Sequence, residues 1–207
     1  MLRRLSALAI SLILVFSNAQ TVNAQTILTK EVAESYQLVP SEIRSSISKS
    51  GWKIVMVDSA MLDQKFGGDD LKDGLCVAGT TIYDEKTIYL SDKESLAREA
   101  ITHEVGHFVD YEYSTYYGYL PSQAEMLYYI YTSEKNSDMI GDYCKESEVE
   151  YFAQAFKLYC EAPNDLMANC PNTYAYICEI LSDLYAAYRQ GTEPQYIPDT
   201  YEIAKAW

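Results

Sequence analysis

His103-Glu104-Val105-Gly106-His107 reads H-E-x-x-H and lies inside residues 94–111, Glu-Ser-Leu-Ala-Arg-Glu-Ala-Ile-Thr-His-Glu-Val-Gly-His-Phe-Val-Asp-Tyr. Ala97, Ile101, Val105 and Phe108 recur at helical spacing, so the segment is predicted to be an amphipathic helix. Residues four apart on a helix lie one above the other. Both imidazoles therefore project from one face and reach a single ion. Zinc suits two neutral imidazoles and an oxygen ligand, with the fourth position open to water. Glu104, next to the first histidine, is placed to accept a proton from that water. The pattern is the outline of a zinc metallopeptidase holding one Zn2+ per chain. The chain has two histidines in all, and both are in this motif.

The surrounding chain sets the context. Residues 1–24 read as a secretory signal peptide: Arg3 and Arg4 start it, an apolar run follows over 5–16, and Val22-Asn23-Ala24 ends it in a small-residue cleavage pattern. The apolar run falls short of the roughly 20 residues needed to span a bilayer. The expected product is a secreted protein with no stable membrane insertion after cleavage. Residues 25–190 are expected to form one metallopeptidase domain of ordinary size, and 191–207 a loosely specified tail. The formal net charge is -14, and loss of Arg3 and Arg4 makes it more negative still. A field of that sign disfavours nucleic acid and anionic lipid as partners and leaves a peptide or protein substrate. The 20 tyrosines are assigned to core, strand and wet aromatic surface, with no collective function. The five cysteines are an odd number, so at least one is unpaired within the chain. Cys160 and Cys170 are close enough in sequence to be joined across a short loop, and the alternative that all stay reduced is open. No C-x-x-C spacing marks a cysteine zinc site.

Helices are predicted over 26–36, 40–48, 60–66, 122–133, 147–160 and 171–189, with a turn or short helix at 163–169. Strands are predicted at 52–57, 80–83 and 87–90, the last two as a hairpin around Asp84-Glu85-Lys86. Ser91-x-x-Glu94 reads as a capping box starting the motif helix. Residues 112–120 read as a tyrosine-rich loop. Strands gather between 52 and 90 and helices elsewhere, so the fold class is α+β: a small twisted sheet packed on the H-E-x-x-H helix, with a helical C-terminal half. An exposed edge at 87–90 would let an extended peptide add as a further strand. Asp110, three residues after His107, is either a carboxylate that orients an imidazole or a solvated acid at the helix end. Gly106 admits another backbone close to the motif.

With both histidines used, the third protein ligand must be a carboxylate or a cysteine, and the glutamate-bearing helix over 147–160 carries the candidates. A metzincin arrangement needs a third histidine downstream, and there is none. The stretch from His103 to Asp110, followed by Glu150-Tyr151-Phe152-Ala153-Gln154-Ala155-Phe156, resembles the catalytic domain of anthrax lethal factor and the secreted Pro-Pro endopeptidases of clostridia. In those proteins a helix beginning near E-F-F-A-E-[AS]-F follows the motif by about 40 residues. The resemblance extends to Ser50-Gly51-Trp52-Lys53-Ile54-Val55 and to Cys170-Pro171-Asn172-Thr173-Tyr174, over roughly residues 38–184. It implies a zincin-like fold, Glu150 as third zinc ligand and Tyr143 as the catalytic tyrosine. The sequence departs from the pattern at Gln154, where the family has a second glutamate. Glutamine carries no charge but still hydrogen-bonds near the ligands.

Two function classes lead; a third, a wall or adhesion protein with a structural zinc, fits the export signal but needs four protein ligands, and the sequence marks no fourth. One is a secreted zinc metalloendopeptidase in which Glu104 is general base and Tyr143 stabilises the oxyanion. The other is a catalytically silent copy of the fold, exported as a binding module; lethal factor itself has a second domain of this fold without the motif. A silent copy has no need of Glu104, so its presence favours the enzyme.

Overall fold

A computed structural model describes residues 28–66 and 76–198. The expected signal peptide over 1–24, the glycine pair after residue 66 and the end of the tail lie outside the described residues. Among the described residues no helix is long and apolar enough to cross a membrane.

The chain opens with α1 (Lys30–Tyr36) and α2 (Ser41–Lys49). Pro40 is the N-cap of α2, and Gly51 turns the chain beyond its end at φ 82°. Trp52 follows, buried against the ring edges of Tyr83, Phe108 and Tyr111. Strand β1 (Lys53–Val57) leads into α3 (Ser59–Phe66). Strands β2 (Gly79–Ile82) and β3 (Thr87–Ser91) form the expected antiparallel hairpin, turned through Lys86 at φ 46°. β1 pairs with β3 in parallel, Lys53 opposite Thr87 through Val57 opposite Ser91, so the sheet order is β1-β3-β2. This corrects the expected edge at 87–90. β3 is the central strand, its backbone paired on both sides, and β1 and β2 are the edges.

Helix α4 (Glu94–Tyr117) carries the motif across the sheet. Two expectations fail here. The Ser91 capping box does not form: Lys93 is the N-cap, and Ser91 closes β3 and accepts the Lys93 N–H at 3.1 Å. The tyrosine-rich stretch after Asp110 is helix, ended by Gly118 in the left-handed region (φ 80°). Its polar groups are satisfied inside the helix and the core. The Ser114 hydroxyl donates to the Tyr111 carbonyl at 2.6 Å and that of Thr115 to the Glu112 carbonyl at 2.7 Å. Buried Glu112 accepts from Ser46. Tyr113 and Tyr117, four apart, stack at 4.3 Å.

A 3-10 turn (Pro121–Gln123) leads into α5 (Glu125–Glu134), and a second (Tyr143–Lys145) precedes α6 (Glu148–Glu161). Helices α7 (Pro163–Asn169) and α8 (Pro171–Gln190) complete the C-terminal half, each with Pro in its first turn. Phe108, Phe152 and Phe156 are fully buried where α4 and α6 pack. All five cysteines are free thiols. The tail is tied down at its start, where Gln195 and Tyr196 both donate backbone N–H groups to the Thr115 carbonyl at 2.9 Å. The protein is α+β, with a three-stranded mixed sheet packed on the motif helix and a helical remainder.

Candidate metal centre and active site

The site lies where α4 and α6 touch. A Cβ on Gly106 would stand 2.7 Å from the Ala153 Cα and 2.8 Å from its carbonyl oxygen. Glycine therefore lets the two backbones meet directly, and this contact brings one turn of α6 opposite the motif. Ser147 is the α6 N-cap, its Oγ accepting the Glu150 N–H at 3.2 Å. The other half of a capping box would turn the Glu150 carboxylate back to the Ser147 N–H. That carboxylate instead points across the interface. Its Oε2 is 3.0 Å from His103 Nε2, and its Oε1 is 3.7 Å from His107 Nε2. The imidazoles lie edge to face at 4.9 Å.

The donor set fits a metal ion. Two ring nitrogens converge on one carboxylate, and Glu150 Oε1 is buried without a hydrogen bond among the described residues. An orphaned acceptor is costly in a protein interior, and a bound cation satisfies it. Burial holds His107 neutral, lowering its pKa to about 3 against the attraction of Glu150, and a neutral imidazole is the form that ligates. Burial acts the same way on His103. There the Glu150 hydrogen bond and the charges of Glu104 and Glu150 outweigh it and raise the value. Glu150 is itself lowered: burial would raise it, but the His103 bond and both imidazoles prevail.

Glu104 faces the other way, toward the sheet edge. Thr81 on β2 donates its hydroxyl to Glu104 Oε2 at 2.7 Å. Gly79, on the same strand, lies so near that a Cβ there would be 2.9 Å from the Glu104 Cγ. Burial pushes the Glu104 carboxyl up to about 7, only partly offset by His103 and the Thr81 bond. Tyr143 sits on the 3-10 turn before α6 and is largely exposed, with its hydroxyl end toward Glu150. Desolvation and the Glu150 charge raise the phenol well above its usual range, so it remains a hydrogen-bond donor. Its neighbour Cys144 is buried, donates its thiol to Gln154 Oε1 at 3.7 Å, and is pushed up to about 12 by burial and by Glu150.

His103, Glu104, His107, Tyr143 and Glu150 are thus brought together, and Gln154 borders them through Cys144. Asp110 is not part of the group. Its carboxylate accepts the Ser122 backbone N–H at 2.8 Å and the Ser122 hydroxyl at 2.6 Å, pinning the turn before α5. It is not a solvated helix-end acid either: it is 1% exposed, and burial raises its carboxyl to about 7. Sequence reasoning passed over Thr81, Gly79 and Cys144. The first two meet Glu104 only through the sheet, and nothing local marks them. Cys144 had a signal in its place beside Tyr143.

A family model described as anthrax toxin lethal factor, N- and C-terminal domain, matches residues 80–180. This stretch of the chain is similar to the lethal-factor domains. Among solved structures, the Pro-Pro endopeptidase PPEP-2 from Paenibacillus alvei is similar, at TM-score 0.52 and 20% sequence identity. The match covers 72% of this chain and 90% of that one. The PPEP-2 structure shares the fold described above. No curated protein sequence matches the chain.

Proposed function

We propose that this chain is a peptidase, and that it works as a secreted zinc metalloendopeptidase. The observation that carries the reading is the meeting of His103 and His107 on the Glu150 carboxylate, across two helices in backbone contact. His103, His107 and Glu150 would hold one zinc ion, which when bound supplies Lewis acidity toward water and the scissile carbonyl. Glu104 takes the proton of the attacking water. Thr81 occupies one of its oxygens and leaves the other for this transfer. A carboxyl near 7 also gives the proton back readily, here to the leaving amine. Tyr143 donates its hydroxyl hydrogen to the oxyanion that develops on the carbonyl. The extended substrate adds to the sheet at β2, the strand that carries Thr81 and Gly79, and not at β3.

In this reading residues 1–24 direct export, 25–190 form the catalytic domain and 191–207 are an appendage. The test is metal analysis of the purified chain, joined to mass-spectrometric digestion of a peptide library that includes Pro-Pro sequences, with and without chelator. One zinc per chain and chelator-sensitive internal cleavage are expected. A folded chain that takes up no zinc overturns the reading. Zinc without cleavage of any peptide would favour the silent binding module.

A further inference from the structure

Beyond the three expected ligands, a thiol lies close to the point where His103 meets Glu150. Among the described residues one group is compact enough to hold a metal ion by itself: His103, Cys144 and Glu150, whose ligand atoms lie within 4.8 Å of one another. Cys144 is 7% exposed, and Glu150 is 5% exposed with Oε1 lacking a hydrogen bond. The thiol is held among these donors by Gln154, whose Oε1 accepts its proton.

We propose, on the zinc reading above, that Cys144 is a fourth zinc ligand and that the resting site is closed. Zinc bonds thiolate sulfur at about 2.3 Å and imidazole nitrogen at about 2.0–2.1 Å. Neighbouring donors in such a tetrahedron lie roughly 3–4 Å apart, so a small turn of the Cys144 side chain completes the set. As the S–Zn bond forms, the S–H bond breaks, its proton passes to solvent and the zinc-bound water leaves. A divalent ion removes the proton from a coordinating thiol outright. Gln154 suits both states. Its amide oxygen accepts from the thiol, and its NH2 group, on reversal of the amide, donates to the thiolate. A carboxylate there offers only the first and would repel the anion. Closed four-ligand sites are structural and open ones catalytic, so Cys144 must withdraw before a peptide is cut. It shares one 3-10 turn with Tyr143, so withdrawal of the thiol and placement of the phenol are movements of a single segment.

X-ray absorption at the zinc edge of the full zinc-loaded chain tests the ligand directly. One sulfur at about 2.3 Å is expected in the wild type and none in Cys144→Ser or Cys144→Ala, with zinc still at one per chain. Cobalt substitution gives an independent readout: a near-ultraviolet sulfur-to-cobalt charge-transfer band in the wild type that both variants lose. With the latch removed, kcat/KM for a cleaved peptide should rise about tenfold or more in Cys144→Ala, since the competent fraction no longer limits it. Bound zinc with a nitrogen and oxygen shell alone overturns the proposal and leaves the zinc reading standing. Failure to bind zinc at all removes both. A sulfur that persists in both variants also overturns it. Should both variants fail to fold, the wild-type shell decides.

Discussion

Glu104 and Glu150 are buried to nearly the same degree, 6% and 5% exposed, on two helices in direct contact. Their environments drive them in opposite directions. The region around Glu104 is a sheet edge that offers one hydroxyl, and burial wins: the carboxyl rises to about 7. The region around Glu150 is a pair of imidazoles, and charge wins: the carboxyl stays below its ordinary value although burial pushes it up. Burial alone therefore does not assign a role to an acid; the polar groups facing it do. A carboxyl poised near neutrality moves protons, and one held as an anion holds cations.

The largest effect that would break this contrast is expected at Glu150. Glu150→Ala should lower zinc affinity sharply and abolish hydrolysis, because it removes the carboxylate on which both imidazoles converge. The helix cap is kept, because Ser147 accepts the backbone N–H of residue 150, so a purely structural role for the carboxylate would leave the metal alone. Zinc titration separates the two, with Glu148→Ala and Gln154→Ala as variants expected to retain the ion.

Glu104→Gln should do the reverse. Zinc content and fold persist, because the amide still accepts the Thr81 hydroxyl, while cleavage falls to background. Turnover comparable to the wild type would end the assignment of Glu104 as the proton carrier.

Tyr143→Phe is expected to lower kcat by roughly 10²-fold at unchanged zinc content, the scale of one lost oxyanion donor. An unaltered kcat would return Tyr143 to the exposed aromatic surface.

The smallest effect sharpens the Glu104 side. The Thr81 hydroxyl holds the Glu104 carboxyl down, so Thr81→Val should raise its pKa further. The proton-accepting form then appears at higher pH. The acidic limb of the kcat/KM profile should shift upward, with a loss of a few-fold near pH 7. A profile that stays in place, or moves toward acid, would show that the hydroxyl does not tune the base.

Much of this was legible in the chain. The i, i+4 histidines, the strands around residues 52–90 and the helix of Glu150 are local patterns, and local patterns survive folding. The resemblance supplied Glu150 and Tyr143, which spacing alone left among several candidates. Most of the misses turned on partners away from the local pattern. Residues 112–117 looked like loop because Glu112, Ser114 and Thr115 are polar, yet Ser46 and the helix carbonyls satisfy them. Strand β3 looked like an edge because β1, its second partner, returns from more than 30 residues earlier in parallel. Asp110 is bound by Ser122, one helix end and one turn away.

The Gly106–Ala153 contact acts as a gauge block for the ligand set. Most helix pairs are spaced by side chains, which rock between rotamers and leave the separation soft. Here two backbones rest on each other, and the stop is hard. Metal–ligand bonds tolerate errors of only about 0.2 Å. One added methyl at residue 106 would demand more clearance than that, because carbon contacts settle at about 3.5–4.0 Å and 2.7 Å is available. The dimension that fails first is the span from His103 and His107 to Glu150, so such a chain would fall out of tolerance as a metal holder while still assembling as a fold.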